Sequence, residues 1–271
     1  MTTSNLLPAA PSRTARATPV ATVVAVVFLA IAAGPLPHGA QPPVDLAKRP
    51  PPKRVVVPKL KGKLTLDGKL EESVWKRAAV LKPFLPNNGE GEEREGTEVR
   101  LWYDAEALHI AWICADTDIQ ATFTQRDSKF WEEEVAEFFV TASGPERYFE
   151  LQWNPLGGVF DAIIDNDLGP DGVSKKITGH WDYTAAGMKS AVLVKGTVAN
   201  SADKDTFWQV EVSVPFSDLN QSTPKPGETW RANFYRFNRG KGQSAELLSW
   251  SPTQLPGFHQ PSRFGFLEFG K

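Results

Sequence analysis

The chain has 271 residues with an ordinary hydrophobic content, nine tryptophans and a net charge of −2. That length corresponds to one or two domains and can bury a substantial core. A nucleic-acid partner would need a basic face, and the charge balance argues against one. The only cysteine, Cys114, lies in an apolar run and cannot form an internal disulfide, so we expect a buried structural thiol.

The N-terminus has the pattern of a targeting segment. Arg13 and Arg16 precede the apolar run VATVVAVVFLAIAAG, which is shorter than the roughly 20 apolar residues of a bilayer-spanning helix. We therefore predict a signal peptide over residues 1–34, with a retained N-terminal anchor as the alternative. The expected location is secreted or periplasmic, with membrane attachment only if this segment is not cleaved.

Residues 35–58 hold eight of the 22 prolines. Proline fixes φ and lacks a backbone donor, so this composition predicts an extended linker rather than a packed element. The folded domain is then expected over residues 59–271.

Short β-like runs fill that domain, rich in β-branched and aromatic residues. The predicted strands cover residues 99–104, 108–116, 135–142, 148–154, 158–164, 190–199, 207–215, 229–239 and 264–269. In the seventh run Trp208, Val210, Val212 and Val214 point to one face. Long helical periods are missing, and only two helical turns are predicted, at 71–77 and 216–219. The pattern indicates an all-β fold, an antiparallel, jelly-roll-like β-sandwich of two sheets.

The sequence gives little support for a catalytic serine or for a zinc site. Among His38, His109, His180 and His259 there is no H-E-x-x-H motif, and no G-x-S-x-G elbow occurs. Acidic runs near residues 116–118 and 161–167 offer oxygen ligands for Ca²⁺, but they do not match a calcium-loop pattern and are interpreted as turn residues.

The stretch FWEEEVAEFF (130–139) contains four glutamates. Strand alternation points Ala136 and Phe138 to a core and Glu137 to the other face. Three roles remain open for Glu137: a solvated or ion-paired charge, a hydroxyl acceptor beside a Trp131 platform, or one of two glycosidase carboxyls. Glycoside hydrolysis needs a second carboxyl roughly 5–9.5 Å away, and the sequence alone does not show one.

Six segments occur in an order that resembles carbohydrate-binding module family 9 and family-9-like domains. Any one of them is a weak signal, but six in order over about 200 residues are specific. The segments are LDGKLEESVW (66–75), EVRLWYDAEALHIAWICAD (98–116), RDSKFWEEEVAEFFV (126–140), YFELQWNPLGGVFDA (148–162), WQVEVSVPFSDL (208–219) and WSPTQLPGFHQPSRFGFLEF (250–269).

The resemblance implies a β-sandwich that binds glycans without cleaving them. In family members two aromatic rings sandwich a sugar beside a hydroxyl-binding glutamate. Trp131 matches the first ring and Glu137 matches the glutamate. Phe258 falls where family members carry the second ring as Trp, and Glu150 falls near the position of a family arginine.

Other side chains are weighed for the same site. His259, beside Phe258, is expected either to donate to a hydroxyl or to act as a local cap. Arg236 is a candidate replacement for the missing arginine, on strand phase alone. Trp181 and Trp250 lie by loops and are further candidates to line a site.

We therefore expect noncatalytic binding of a plant-type polysaccharide such as xylan or cellulose, in support of its breakdown by a separate secreted glycoside hydrolase. No cofactor is required, and the resemblance leaves a structural Ca²⁺ with unknown ligands open. One alternative is a glycoside hydrolase that uses Glu137 with a second carboxylate. Another is a haem-binding redox module, for which Met188 is the only methionine besides the initiator.

Overall fold

The computed structural model describes residues 49–271. The predicted signal peptide and most of the predicted linker lie outside this range. Within it the chain forms fourteen β-strands in two sheets and four short 3-10 turns, at Trp75–Arg77, Phe130–Glu132, Phe216–Leu219 and Pro261–Arg263. None of the described helical turns has the length and apolar character needed to cross a membrane.

The larger sheet has nine strands. Their order is β1-β14-β12-β6-β7-β8-β9, with β13 paired to β12 and β3 paired to β13. The strands are β1 (Arg54–Val57), β3 (Leu85–Pro86), β6 (Val135–Thr141), β7 (Arg147–Trp153), β8 (Val159–Leu168), β9 (Ser174–His180), β12 (Thr229–Asn238), β13 (Glu246–Ser249) and β14 (Gly265–Phe269). All neighbours are antiparallel except β1 and β14, which run parallel.

The smaller sheet has five antiparallel strands in the order β10-β11-β5-β4-β2. They are β2 (Ala79–Leu81), β4 (Thr97–Tyr103), β5 (Ala107–Ala115), β10 (Lys189–Lys195) and β11 (Phe207–Pro215). The predicted two-sheet β-sandwich with short helical turns is confirmed.

The main core lies between the two sheets and draws apolar side chains from both. Strand alternation places Ala136 and Phe138 of β6 in it, together with Trp208 and Val210 of β11, as predicted. Each large apolar side chain that is fully buried here contributes about 1.5–3 kcal/mol to folding. Cys114 is also buried in this core, and burial raises the pKa of its thiol to about 12.

A second aromatic cluster covers the opposite face of the nine-stranded sheet. Phe139, Tyr148, Phe160 and Tyr235 project from β6, β7, β8 and β12, and Phe258 joins them from the loop before β14. The face that carries Glu137 is therefore a packed surface, and the alternative of a solvated outer face for this glutamate is wrong.

The predicted boundary between linker and domain is also wrong. Arg54–Val57 form β1 and pair with Phe266–Phe269 of β14, and Val57 is fully buried. The β-branched run RVVV is flanked by prolines, and the proline content led to the prediction of a linker instead of a strand. The described fold therefore includes residues before Lys59.

Nine predicted strands are confirmed, and β1, β2, β3, β9 and β13 were missed. The missed strands are short or polar. The strand β9, with the sequence SKKITGH, is an edge strand of its sheet, and an edge strand needs no continuous apolar pattern.

Candidate functional site

A small pocket opens on the outer face of the nine-stranded sheet, where β7, β8 and β9 lie side by side. Its interior volume is about 20 Å³, which is room for one water-sized group. The lining side chains are largely aromatic or aliphatic with two polar groups: Trp131, Glu150, Phe160, Ile164, Ile177, Gly179, Trp181 and His259.

Three aromatic rings of the pocket meet nearly at right angles. The centroid of Trp131 lies 5.6 Å from that of Phe160 and 6.1 Å from that of Trp181, and Phe160 and Trp181 are 5.7 Å apart. Trp181 follows β9 and is 39% exposed. A Cβ at Gly179 would lie 2.5 Å from Trp181 Nε1, so glycine at this position gives the indole its place.

Two glutamates occupy the same face of the β6–β7 pair. Glu137 is opposite Gln152 and Glu150 is opposite Phe139, so the glutamates are diagonal neighbours. Such neighbours have Cα atoms about 7–8 Å apart. Glu137 is 2% exposed and Glu150 is 5% exposed, and only Glu150 lines the pocket. Gln152 Nε2 donates to Glu150 Oε1 at 2.6 Å, whereas no group among residues 49–271 donates to the Glu137 carboxyl.

Both carboxyls are held partly in the neutral form. Burial raises the pKa of Glu137 well above its usual range, and the charge of Glu150 raises it further. Burial raises the pKa of Glu150 to about 8, against the opposing effect of the Gln152 hydrogen bond. Within the described chain no lysine or arginine pairs with either glutamate. At pH 7 the pair therefore holds at least one proton.

His259 lines the pocket as a neutral ring. Its Nδ1 lies 2.7 Å from Tyr148 Oη, and Asn166 Nδ2 donates to the His259 carbonyl oxygen at 3.2 Å. Burial lowers the pKa of His259 to about 4 and raises the pKa of Tyr148, so neither group is charged at pH 7. We assign the phenol as the donor to Nδ1, which places the imidazole proton on Nε2.

Phe258 is part of the second aromatic cluster. It is 4% exposed, and its ring stacks on Tyr235 with centroids 4.0 Å apart and planes 12° from parallel. Phe237 packs against it edge-on at 5.1 Å. One face of the Phe258 ring is thus covered by Tyr235. The ring that lines the pocket together with Trp131 is Trp181, which the sequence had indicated as a further candidate. Trp250 is buried instead against Phe234.

Arg236 points away from this site, and its prediction as a ligand-binding residue is wrong. In the β6–β12 pair Tyr235 is opposite Glu137, so Arg236 occupies the other face of the sheet. It is fully buried between the sheets, where Nη2 donates to Asp116 Oδ2 at 2.7 Å and lies 3.9 Å from Glu134 Oε2. Its role is that of a core ion pair.

The geometry favours binding over cleavage. A glycosidase places the scissile bond between its two carboxyls. Here Glu137 and Glu150 lie side by side on the floor of the sheet, and the cavity admits only a water-sized group. Met188, which the haem alternative requires, packs against the main core. Among residues 49–271 no cluster of three or more His, Cys, Asp or Glu side chains is placed to hold a metal ion.

The solved structures that are similar to this chain include the following three. A candidate carbohydrate-binding protein from Bacteroides uniformis ATCC 8492 has a TM-score of 0.61 and 20% identity, covering 80% of this chain and 99% of its own. A family 9 carbohydrate-binding module from Caldicellulosiruptor kristjanssonii in complex with cellotriose has a TM-score of 0.54 and 12% identity, covering 81% and 95%. The module from the same organism with glucose has a TM-score of 0.56 and 14% identity, covering 81% and 97%.

At these identities the structural likeness shows a shared fold. No curated protein matches the chain in sequence. The sequence model described as carbohydrate-binding family 9 matches residues 93–269, which is more than half of the chain. On that match the chain belongs to carbohydrate-binding family 9.

Proposed function

We propose that this domain binds a carbohydrate without cleaving it, and that its ligand class is a plant-type chain similar to xylan or cellulose. The observation that carries the proposal is the pair of partly exposed indoles, Trp131 and Trp181, at the rim of a pocket with a polar floor. A sugar ring has an apolar C–H face that an indole can cover, while polar groups below bind its hydroxyls.

In the proposed complex the ring of the sugar rests on Trp131 and Trp181. One substituent enters the cavity, where Glu150 and His259 are the polar side chains that line it. A neutral carboxyl can donate to a hydroxyl and an ionised carboxyl can accept from one, so Glu150 suits a hydroxyl in either state. Glu137 does not line the cavity, and it influences binding through its electrostatic interaction with the Glu150 carboxyl.

The test is isothermal titration of the full chain with glucose, cellotriose and xylotriose, together with retention on soluble xylan in gel electrophoresis. We expect binding to at least one of these glycans and no release of reducing sugar. Trp131→Ala should weaken that binding, and Val80→Ala, which trims an exposed side chain on the other sheet, should not. An absence of binding across the glycans, or measurable sugar release, would contradict the proposal.

We further propose that the protein is exported, with removal of residues 1–34, and that it acts beside a separate secreted glycoside hydrolase. The support is the targeting pattern around Arg13 and Arg16. N-terminal sequencing of the protein recovered from the medium or the periplasm tests this location. A protein recovered only in the cytoplasm with residue 1 intact would contradict it.

A further inference from the structure

Among residues 49–271 the pocket has acidic groups without a positively charged counterpart. Glu150 lines it and Glu137 is the diagonal neighbour of Glu150, while His259, the titratable base among the described lining residues, is neutral at pH 7. Neither carboxyl pairs with a lysine or arginine of the described chain, and Glu137 accepts no hydrogen bond there. Buried carboxyls of proteins are as a rule paired or hydrogen-bonded. In the described chain Glu150 accepts from the neutral Gln152 amide, and neither carboxyl has a positively charged partner.

The walls of the pocket suit a cation. A cation within about 6 Å of an aromatic ring is attracted by the negative face of the π-system, most strongly by indole. Trp131, Phe160 and Trp181 stand around the same small space at right angles to one another. An arrangement of several rings with a carboxyl at its floor is the chemistry that proteins use to bind ammonium groups.

We propose that the pocket binds a sugar that carries a free primary ammonium group, with the ammonium in the cavity beside the rings of Trp131 and Trp181 and against the Glu150 carboxyl. The inference rests on the proposed carbohydrate binding and extends its ligand class from the plant-type chain to an amino sugar with the same β-1,4 backbone.

The size of the cavity selects among cations. Its 20 Å³ accommodates a water-sized group such as –NH₃⁺. A guanidinium or a trimethylammonium group is several times larger than a water molecule and does not fit. A divalent metal ion would need several ligands at once, and no three His, Cys, Asp or Glu side chains among residues 49–271 are placed to hold one together.

Binding of an ammonium group changes the protonation of the pair. The free Glu150 carboxyl, with a pKa of about 8, is mostly protonated near pH 6.5, and the cation stabilises its ionised form. A proton is then released to solvent as the ion pair forms. The other titratable groups that face the pair are Tyr148 from β7, Tyr235 from β12 and His259 from the loop, and all three stay neutral between pH 6 and 9 because burial raises the pKa of both phenols and lowers that of the imidazole.

The experiment compares three trimers with the same β-1,4 backbone: the glucosamine trimer, cellotriose and the N-acetylglucosamine trimer. Titration calorimetry on the full chain at about pH 6.5 is run in two buffers of different ionisation enthalpy. We expect the glucosamine trimer to bind about tenfold more tightly than cellotriose or more, with release of close to one proton, and the acetylated trimer to show neither effect.

Two variants assign the preference to one side chain. Glu150→Gln should bring the glucosamine trimer to the affinity of cellotriose and abolish the proton release. Glu268→Gln makes the same substitution at an exposed position of β14 in the same sheet and should leave both the preference and the proton release unchanged. A preference that survives in Glu150→Gln would overturn the assignment.

The outcomes separate the two proposals. Cellotriose bound as tightly as the glucosamine trimer, or no proton release from the wild-type protein, overturns the inference of an amino sugar and leaves carbohydrate binding intact. Failure of all three trimers, of glucose and of xylan overturns both. The proton measurement uses the wild-type chain, so the inference can be refuted even if a variant does not fold.

Discussion

Glu137 and Glu150 lie diagonally across the β6–β7 pair, with their carboxyls on the same buried face of the sheet. The ionised form of Glu150 raises the pKa of Glu137, which burial has already raised. Two like charges in one poorly solvated space cannot both form without cost, so the pair resists full ionisation at neutral pH. The same pair supplies the negative charge with which a cationic ligand would interact.

The stability of the domain should fall as the pH rises from about 6.5 to about 8. The folded-state pKa of Glu150 is about 8, above the ordinary value of 4.5, so its carboxyl holds more protons in the folded state than in the unfolded state across this window. Below pH 6.5 the pKa of His259, lowered by burial from 6.5 to about 4, acts in the opposite direction. The free energy of unfolding therefore decreases with increasing pH above about 6.5, by on the order of 1–2 kcal/mol. Urea denaturation at pH 6.5, 7, 7.5 and 8 measures it.

Glu150→Gln mimics the protonated carboxyl and should flatten this pH dependence, leaving the variant more stable than the wild type at pH 8. Glu268→Gln, on the exposed side of β14, should keep the wild-type slope. An unchanged slope in Glu150→Gln would show that other groups produce the dependence.

Trp131→Ala should weaken glycan binding by about 1–3 kcal/mol, by analogy with the loss of an aromatic ring from a stacked base. The ring also packs edge-on against Phe160 and Trp181, so some stability is lost as well. Binding is measured by calorimetry on protein whose far-UV circular dichroism matches the wild type. Trp181→Ala should act in the same direction, and full affinity in both variants would place the ligand elsewhere.

Much of the fold could be predicted from local patterns. Period-2 alternation in β6 and β11 assigned Phe138 and Trp208 to the core, and the structure places both there. Alternation also separated Glu137 from that core. Alternation did not predict which residues pack on the face that carries Glu137. Phe258 and its neighbours pack there, and they lie more than 100 residues further along the chain.

The site itself depends on register between strands, which a single sequence does not contain. Glu150 becomes a neighbour of Glu137 only through the pairing of β6 with β7. Arg236 was assigned to the wrong face of the sheet because only the alternation within β12 was considered. The pairing of Tyr235 with Glu137 determines which face of the sheet Arg236 occupies. Trp181 follows a polar edge strand that lacks a clear β pattern, and its exposed ring beside Gly179 was visible only in the structure.

Arg236→Ala should destabilise the fold and leave the intrinsic affinity of folded protein for its ligand unchanged. The substitution leaves Asp116 and Glu134 buried without their cation, and breaking a buried ion pair costs about 3–5 kcal/mol. Chemical denaturation measures the loss, with Arg77→Ala at the surface as a control expected to stay within about 0.5 kcal/mol of the wild type. A stable variant with lost binding would restore Arg236 as a ligand residue.

Phe258→Ala should act first on stability, because its ring stacks on Tyr235 and packs against Phe237 inside the second aromatic cluster. Truncation of a buried phenylalanine costs about 3–5 kcal/mol, and the free energy of unfolding should fall by that amount. Phe258→Leu keeps most of the buried volume and should recover part of the loss. Denaturation and calorimetry are run on the same preparations, with ligand affinity corrected for the folded fraction. If Phe258→Ala is as stable as the wild type but binds no glycan, the ring contacts the sugar directly and its packing on Tyr235 is secondary.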